Sequence, residues 1–220
     1  MFGHIKQDLL SKKYISEFIT HFARGDNWHE LDNKTGNLGY GWVHYALIRN
    51  LRPKRVLVIG SRYGFVPAVC ALACKDNRKG IVDFVDVGYD YRNPKHKAHW
   101  GGVGFWTKVN PQGHFGKFGL DKYISSHIMT TKEFSKKYPR RKWEYINIDG
   151  DHSYEGVKFD FETFWPQLLN RGFISLHDIY SNDDKSLEYG VYRYWGELNK
   201  KYRNTIEIGS KYGLGLIQKA

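Results

Sequence analysis

Apolar residues recur along this chain with two periods. In IKQDLLSKKYISEFITHF, the positions Ile5, Leu9, Ile15, Phe18, Ile19 and Phe22 fall near helical spacing and predict an amphipathic N-terminal helix. The stretch GDNWHELDNKTGNLGYG is polar and Gly-rich and predicts a loop. WVHYALIRNL predicts a second helix, stopped by Pro53. RVLVIG, residues 55–60, is a short apolar run bounded by turn signals, as expected of a buried strand. FVPAVCALACK predicts a helix that tolerates Pro67 in its first turn. GIVDFVDV (80–87), YISSHIM and WEYINID predict three more strands. YEGVKFDFETFWPQLL places Tyr154, Val157, Phe161, Phe164 and Leu168 on one helical face, with Gly172 ending the helix. FISLHDI is strand-like. LEYGVYRYWGELNKKY aligns Leu187, Val191, Tyr194, Leu198 and Tyr202 along a helix. TIEIGS and LGLIQK predict a closing antiparallel pair.

Strands alternating with helices through the middle of the chain predict an α/β fold with a mostly parallel sheet covered on both faces. No internal repeat, low-complexity tract or domain boundary interrupts it. Residues 1–220 are therefore expected to form one domain, with 1–50 as an N-terminal helical cap. Residues 88–122 form a long irregular insert with five Gly between positions 101 and 116. Loops of that length are usually functional, so a lid over the crevice is expected, with a plain surface excursion as its rival. Tyr89, Trp100, Phe105 and Trp106 would stack on a ligand, and Lys95, Lys97 and Lys108 would meet a phosphate.

Composition narrows the class. Hydrophobic residues at 41% and charged residues at 26% are ordinary for a soluble globular protein, while 16% aromatics suit an aromatic-lined pocket. No apolar run approaches the ~20 residues of a membrane span, and the start lacks a signal-peptide pattern. Cys70 and Cys74 stand four apart in a helix and are expected to be reduced core residues. A cytoplasmic protein without membrane contact is expected. The net charge of +11 draws anions. Its densest cluster, KKYPRRKW (136–143), precedes a strand, whereas ligands of open α/β sheets bind beyond strand C-termini. It is expected to be a solvated loop, with an accessory nucleic-acid contact as the minority reading.

The candidate chemistry lies at strand exits. In VLVIGSRYG, Gly60 and Gly64 sit where a strand turns into a helix, allowing a ligand close to the backbone. The G-x-x-x-G spacing matches neither the dinucleotide nor the phosphate-loop motif, and a purely structural turn explains it equally well. Asp86 ends the next strand, 22 residues after Gly64, where an acid takes the hydroxyls of a ribose. Asp83 is its competitor but lies mid-strand. In INIDGDHSYEG, helix capping explains one polar residue but not Asp149, which stands at the end of the strand. His177 and Asp178 end the neighbouring strand. Asp149, Asp151, His152, His177 and Asp178 would thus share a crevice, able to bind a hard cation or to hold a histidine as general base. A buried ion-pair network is the bland alternative.

The order of VLVIGSRYG, VDFVDV, YINIDGDHSYEGVKFDFETFWPQLLNRGFISLHDI and GLGLIQ resembles class I S-adenosylmethionine-dependent methyltransferases, specifically methyltransferase family 24, from about residue 36 to the C-terminus. The D-G-D-H-S-Y-E-G-V segment with a downstream H-D carries the specificity. The resemblance implies a Rossmann-like seven-stranded sheet with a reversed last strand. It implies S-adenosylmethionine as cofactor, with Gly60, Ser61, Arg62 and Gly64 around its methionine part. Asp86 would bind its ribose, Thr130 or Thr131 would lie near its adenine, and Asp149 would be close by. Metal-dependent relatives hold Mg²⁺ at positions matching Asp149, His177 and Asp178. Two departures stand out. The metal pair here is His-Asp, and Val58 stands where relatives carry an acid two residues before the first glycine.

The expected reaction is methyl transfer to a hydroxyl, or to an amine, of a small acceptor, with His152 or His177 as base and Asp149 orienting it. The positive charge suggests an anionic or sugar-linked acceptor, and a homodimer is allowed for. Two rivals are a non-catalytic binding protein on the same fold, suggested by Val58, and an RNA-modifying enzyme, suggested by the charge.

Overall fold

The strand Arg55–Ile59 (β1) is buried from Val56 to Ile59, because neighbours flank it on both edges and helices cover both faces. It pairs in parallel with Ile81–Asp86 (β2) on one side and with Trp143–Ile148 (β4) on the other. Ile124–Ile128 (β3) extends the β2 edge. Leu168–His177 (β5) extends the β4 edge, and Leu214–Gln218 (β7) runs antiparallel between β5 and Thr205–Ile208 (β6). The sheet order is β3-β2-β1-β4-β5-β7-β6. The chain leaves β1 toward one edge and resumes at β4 on the other side. The crevice at the C-terminal ends of β1 and β4 is therefore the natural ligand site of this topology. The structure is a computed structural model and describes residues 11–90, 104–181, 189–209 and 211–220. Ile5, Leu9, Leu187, Lys95, Lys97 and Trp100 lie outside these.

On one face, Phe65–Asn77 (α3) is buried nearly all round, as its apolar composition requires, and holds the free thiols of Cys70 and Cys74. Lys12–Phe22 (α1) and Gly41–Leu51 (α2) lie over it, with Ile15, Phe18, Ile19 and Phe22 as the inward stripe of α1. On the other face, Thr131–Lys137 (α6), Tyr154–Phe164 (α7) and Val191–Lys201 (α8) bury Phe134, Phe161, Tyr194 and Trp195. Among the described residues, no helix is long and apolar enough to cross a membrane.

Three expectations are corrected. The helix after Tyr154 ends at Phe164 in a short 3-10 turn at Trp165–Gln167, so Leu168 opens β5 and Gly172 lies inside that strand. Pro166, which lacks an N–H and crowds the preceding turn, ends it early. The second half of the insert is not irregular. Phe105–Lys108 and Pro111–Gly116 are short helices, α4 and α5, that bury Phe105, Trp106 and Phe115. Trp106 meets Phe84 edge-on with ring centroids 5.0 Å apart and donates its indole N–H to the Ser61 carbonyl at 3.0 Å. Phe105 and Trp106 of this half also line the crevice. Within KKYPRRKW, Arg141 is not simply solvated. It reaches back to the buried Asp83 at 2.8 Å and lies over the Tyr138 ring.

Candidate functional site

A cavity of about 730 Å³ opens at the C-terminal ends of β1, β2, β4 and β5. Its floor is the glycine turn. Gly60 has φ +74°, and a Cβ there would sit 2.1 Å from the Asp149 carbonyl. Asp149 donates its backbone N–H to Ile59, so the two strand exits close against each other and only glycine fits between them. Gly64, at φ +92°, starts α3 under Trp106 and Phe115.

Asp86 leaves β2 beside this turn. Its Oδ2 accepts the Ser61 N–H at 3.1 Å and its Oδ1 accepts the Gly88 N–H at 2.7 Å. Burial pushes its carboxyl up to about 6, with the two N–H groups working against that shift and Asp149 adding to it. Each oxygen keeps lone-pair capacity for a ligand hydroxyl. Asp83 lies on the opposite side of the same strand and takes no part. Arg62 lines the cavity with its guanidinium 3.4 Å from Asp26. Thr130 and Thr131 also line it, but the Thr130 hydroxyl is committed to a capping box with Glu133 at the start of α6.

Four of the five polar residues expected at the strand exits do meet. His177 Nδ1 lies 3.3 Å from Asp149 Oδ1 and 3.2 Å from Asp178 Oδ2. His152 Nε2 lies 3.3 Å from Asp149 Oδ1, and its Nδ1 lies 3.3 Å from Asp178 Oδ2. Asp151 does not join them. Its carboxylate accepts the Ser153 N–H at 2.9 Å while Ser153 caps α7, the capping chemistry that its position also allowed. Burial alone would push the Asp149 carboxyl up, but His177, His152 and His29 hold it far below the usual carboxylate range. Burial likewise opposes the charge on His177, yet the two carboxylates raise it well above an ordinary histidine. The His177 Nε2 faces the Trp28 carbonyl at 3.0 Å, so that nitrogen carries a proton.

Two residues of the site had no signal in the sequence pattern. His29 lies in the loop after α1, with its Nε2 3.7 Å from Asp149 Oδ2 and its ring 4.5 Å from that of His177. Burial lowers it to about 4, reinforced by His177. Its Nδ1 is buried with no hydrogen-bond partner. Asp26 comes from the same loop. The only local hint was a Trp-His pair in an otherwise polar segment.

A family model described as a methyltransferase domain, of family 24, matches residues 57–179, more than half of the chain. The chain belongs to this family. Its sheet is that of class I S-adenosylmethionine-dependent methyltransferases. The O-methyltransferase TomG of tomaymycin synthesis from Streptomyces achromogenes, solved with S-adenosylmethionine, superposes with a TM-score of 0.63 at 11% identity, covering 98% of this chain and 92% of that one. An O-methyltransferase from Bacillus cereus, solved with S-adenosylhomocysteine, gives 0.62 at 14% identity, covering 99% and 94%. An uncharacterized protein, y4gI, of Sinorhizobium fredii is 24% identical over 192 residues, 86% of this chain. The chain spans 20% of that protein's length.

Proposed function

We propose that the protein transfers the methyl group of S-adenosylmethionine to a hydroxyl of a small acceptor. The observation that carries this reading is one cavity with two chemistries. Asp86 and the glycine turn, suited to a nucleoside and its thioether arm, face the His152–Asp149–His177–Asp178 cluster, suited to a hydroxyl and its proton. The breaking S–CH₃ bond and the forming O–CH₃ bond must be in line. The protein's main work is therefore holding donor and acceptor in register.

His152 is our choice of base. It lines the cavity with 18% of its side chain exposed, and both flanking carboxylates raise its basicity against the effect of burial. It takes the acceptor proton as oxygen captures the methyl group, leaving a methyl ether and S-adenosylhomocysteine. His177, with 2% of its side chain exposed and both nitrogens facing acceptors, is a positioning residue that holds Asp149 and Asp178.

A divalent cation at this cluster would have to displace the proton that the two carboxylates favour on His177 Nδ1. With Nε2–H fixed on a carbonyl, His177 Nδ1 faces two carboxylate oxygens at 3.2 and 3.3 Å. In two overlapping trios, His29–Asp149–His177 and Asp149–His152–Asp178, the potential ligand atoms lie within 4.8 Å of one another. Asp149, His177 and Asp178 would hold the ion, and the imidazole favours a borderline metal over Mg²⁺. When bound, it would act as a Lewis acid that lowers the pKa of the acceptor hydroxyl. Trp28, Tyr63, Phe105 and Tyr189 line the cavity, and rings of this kind would suit an acceptor with an apolar face. The net charge of +11 supports an anionic acceptor.

Calorimetric titration of S-adenosylmethionine and S-adenosylhomocysteine, with divalent cation and then with EDTA, tests this reading. Micromolar binding is expected. A folded protein that binds neither would overturn the reading, and heat lost only in EDTA would assign the metal.

A further inference from the structure

An ammonium group entering this cavity would find most of its acids already engaged. Asp86 holds the Ser61 and Gly88 N–H groups, and Asp151 holds that of Ser153. Asp149 is ringed by three histidines. Asp178 faces two histidines and the Ser181 hydroxyl, and burial pushes the Asp160 carboxyl up to about 7, which disfavours its charged form. Glu155 stands exposed on α7, on the β4 side of the cavity. β1 supplies no acid, because Val58 is apolar and wholly buried. Asp26 differs from these. Arg24 and Gly25, at φ +54° and +90°, reverse the chain after α1, and the Asp26 N–H closes the turn on the Ala23 carbonyl at 3.0 Å. This places the Asp26 carboxylate 3.4 Å from the Arg62 guanidinium, next to the glycine turn.

We propose that Asp26 and Arg62 form a clamp for the amino-acid end of the cofactor, Arg62 taking its carboxylate and Asp26 its ammonium. This rests on the cofactor reading above. An α-amino acid presents the two charges side by side, as a mirror of this pair. Among the described lining residues, the other lysine or arginine is Lys132, at the start of α6 beyond β3. Among the described lining residues, Asp26 and Arg62 are therefore where a carboxylate meets a guanidinium, a permanent cation rather than a histidine. Arg62 also lies over the Tyr63 ring, 5.3 Å from its centre, which limits the directions its fork can take. Burial pushes the Asp26 carboxyl up while Arg62 and Trp28 work against it, so the group gains from a second cation. Binding exchanges one partly exposed ion pair for two charge-assisted contacts.

The test compares S-adenosylhomocysteine with 5′-methylthioadenosine, which keeps the nucleoside and thioether but lacks the amino acid. For D26A, D26N and R62A the expected result is a loss of about tenfold or more in affinity for the first, and a change within about twofold for the second. Circular dichroism and thermal melts establish that each variant is folded. Equal losses on both ligands, or no loss on either, would overturn the clamp. So would a wild-type protein that binds 5′-methylthioadenosine as tightly as S-adenosylhomocysteine. Wild-type protein that binds neither ligand overturns the cofactor reading, and the clamp with it.

Discussion

Asp83 on β2 and Asp149 after β4 are both acids ringed by donors, and they differ in what lies beyond the ring. Asp83 is fully buried. Its Oδ1 meets Arg141 at 2.8 Å and His127 at 3.3 Å, and its Oδ2 meets the Trp143 indole at 2.9 Å and Arg55 at 3.3 Å. Burial pushes this carboxyl up, but the four partners bring it below its ordinary value. Every partner belongs to β1, β3, β4 or the segment just before β4, so the knot ties strands together. Asp149 has three histidines around it, and all three, His29, His152 and His177, also line the cavity. Burial and a shifted carboxyl therefore do not by themselves mark a site. Access to a cavity for the partners does.

Removing the Asp83 carboxylate should sharpen this contrast most. Asp83→Ala leaves the guanidinium of Arg141 and a buried indole N–H unpaired and should cost about 3–5 kcal/mol in urea unfolding. The affinity of the folded fraction for S-adenosylhomocysteine should not change. Because the folded carboxyl lies below its ordinary value, its contribution is complete above the unfolded value of about 4. It is lost as the pH falls through the folded value, and an acid titration of stability will show this.

His152→Ala should do the reverse. Release of S-adenosylhomocysteine in the presence of an active acceptor should slow by about 10²–10⁴-fold, with cofactor affinity unchanged and a smaller loss of stability than Asp83→Ala, because His177 and His29 still face Asp149. If His152→Ala melts the protein while Asp83→Ala removes turnover, the contrast between the two carboxylates is backwards.

Asp86→Asn is a smaller change at the edge of the site. Loss of the charged acceptor should weaken S-adenosylhomocysteine by about 10–100-fold while sparing stability. The wild-type affinity should fall with acidity for the same reason. The Asp86 carboxyl, raised to about 6 by burial, takes up a proton as the pH drops through that value and stops accepting ribose hydroxyls. Affinity that is flat between pH 7 and 5 in calorimetry (both values roughly bracketing the expected titration) would remove Asp86 from the ribose contact. The smallest effect belongs to Thr130→Ala. It breaks the α6 capping box and should lower the melting temperature by about 2–4 °C, with cofactor affinity unchanged. A selective loss of affinity for the adenosine part would instead return Thr130 to the binding residues.

Much of this molecule is legible in its sequence. β1, β2 and β4 are short apolar runs between turn residues, and burial on both faces leaves that mark on a strand. Their exits displayed Asp86, Asp149 and His177 because a polar side chain has little other reason to end a buried run. The misreadings have equally definite causes. Leu168 keeps helical spacing with Phe161 and Phe164, but Pro166 intervenes and periodicity does not register it. α4 and α5 are too short to show a period, so Phe105 and Trp106 looked like ligand-stacking rings of an irregular insert, although both are buried in short helices at the cavity wall. Trp106 is fixed by Phe84 and Ser61, which precede it by about 20 and 45 residues.

By itself, the sequence determined the alternation of strands and helices, the reversed closing strand and the family, together with the acids and histidines that stand at strand exits. The alternation and the strand-exit residues are local properties, set by side-chain period and by the residue types that each turn tolerates, whereas the family and the reversed strand followed from the resemblance of ordered motifs. Only the tertiary structure decided which of those groups meet. It set Asp151 aside as a cap and tied Arg141 to Asp83. It brought His29 and Asp26, from a loop that precedes β1, against residues of β4, β5 and the glycine turn. Contacts across such separations depend on how α1 and its following loop settle on the finished sheet, and no spacing within the loop encodes that.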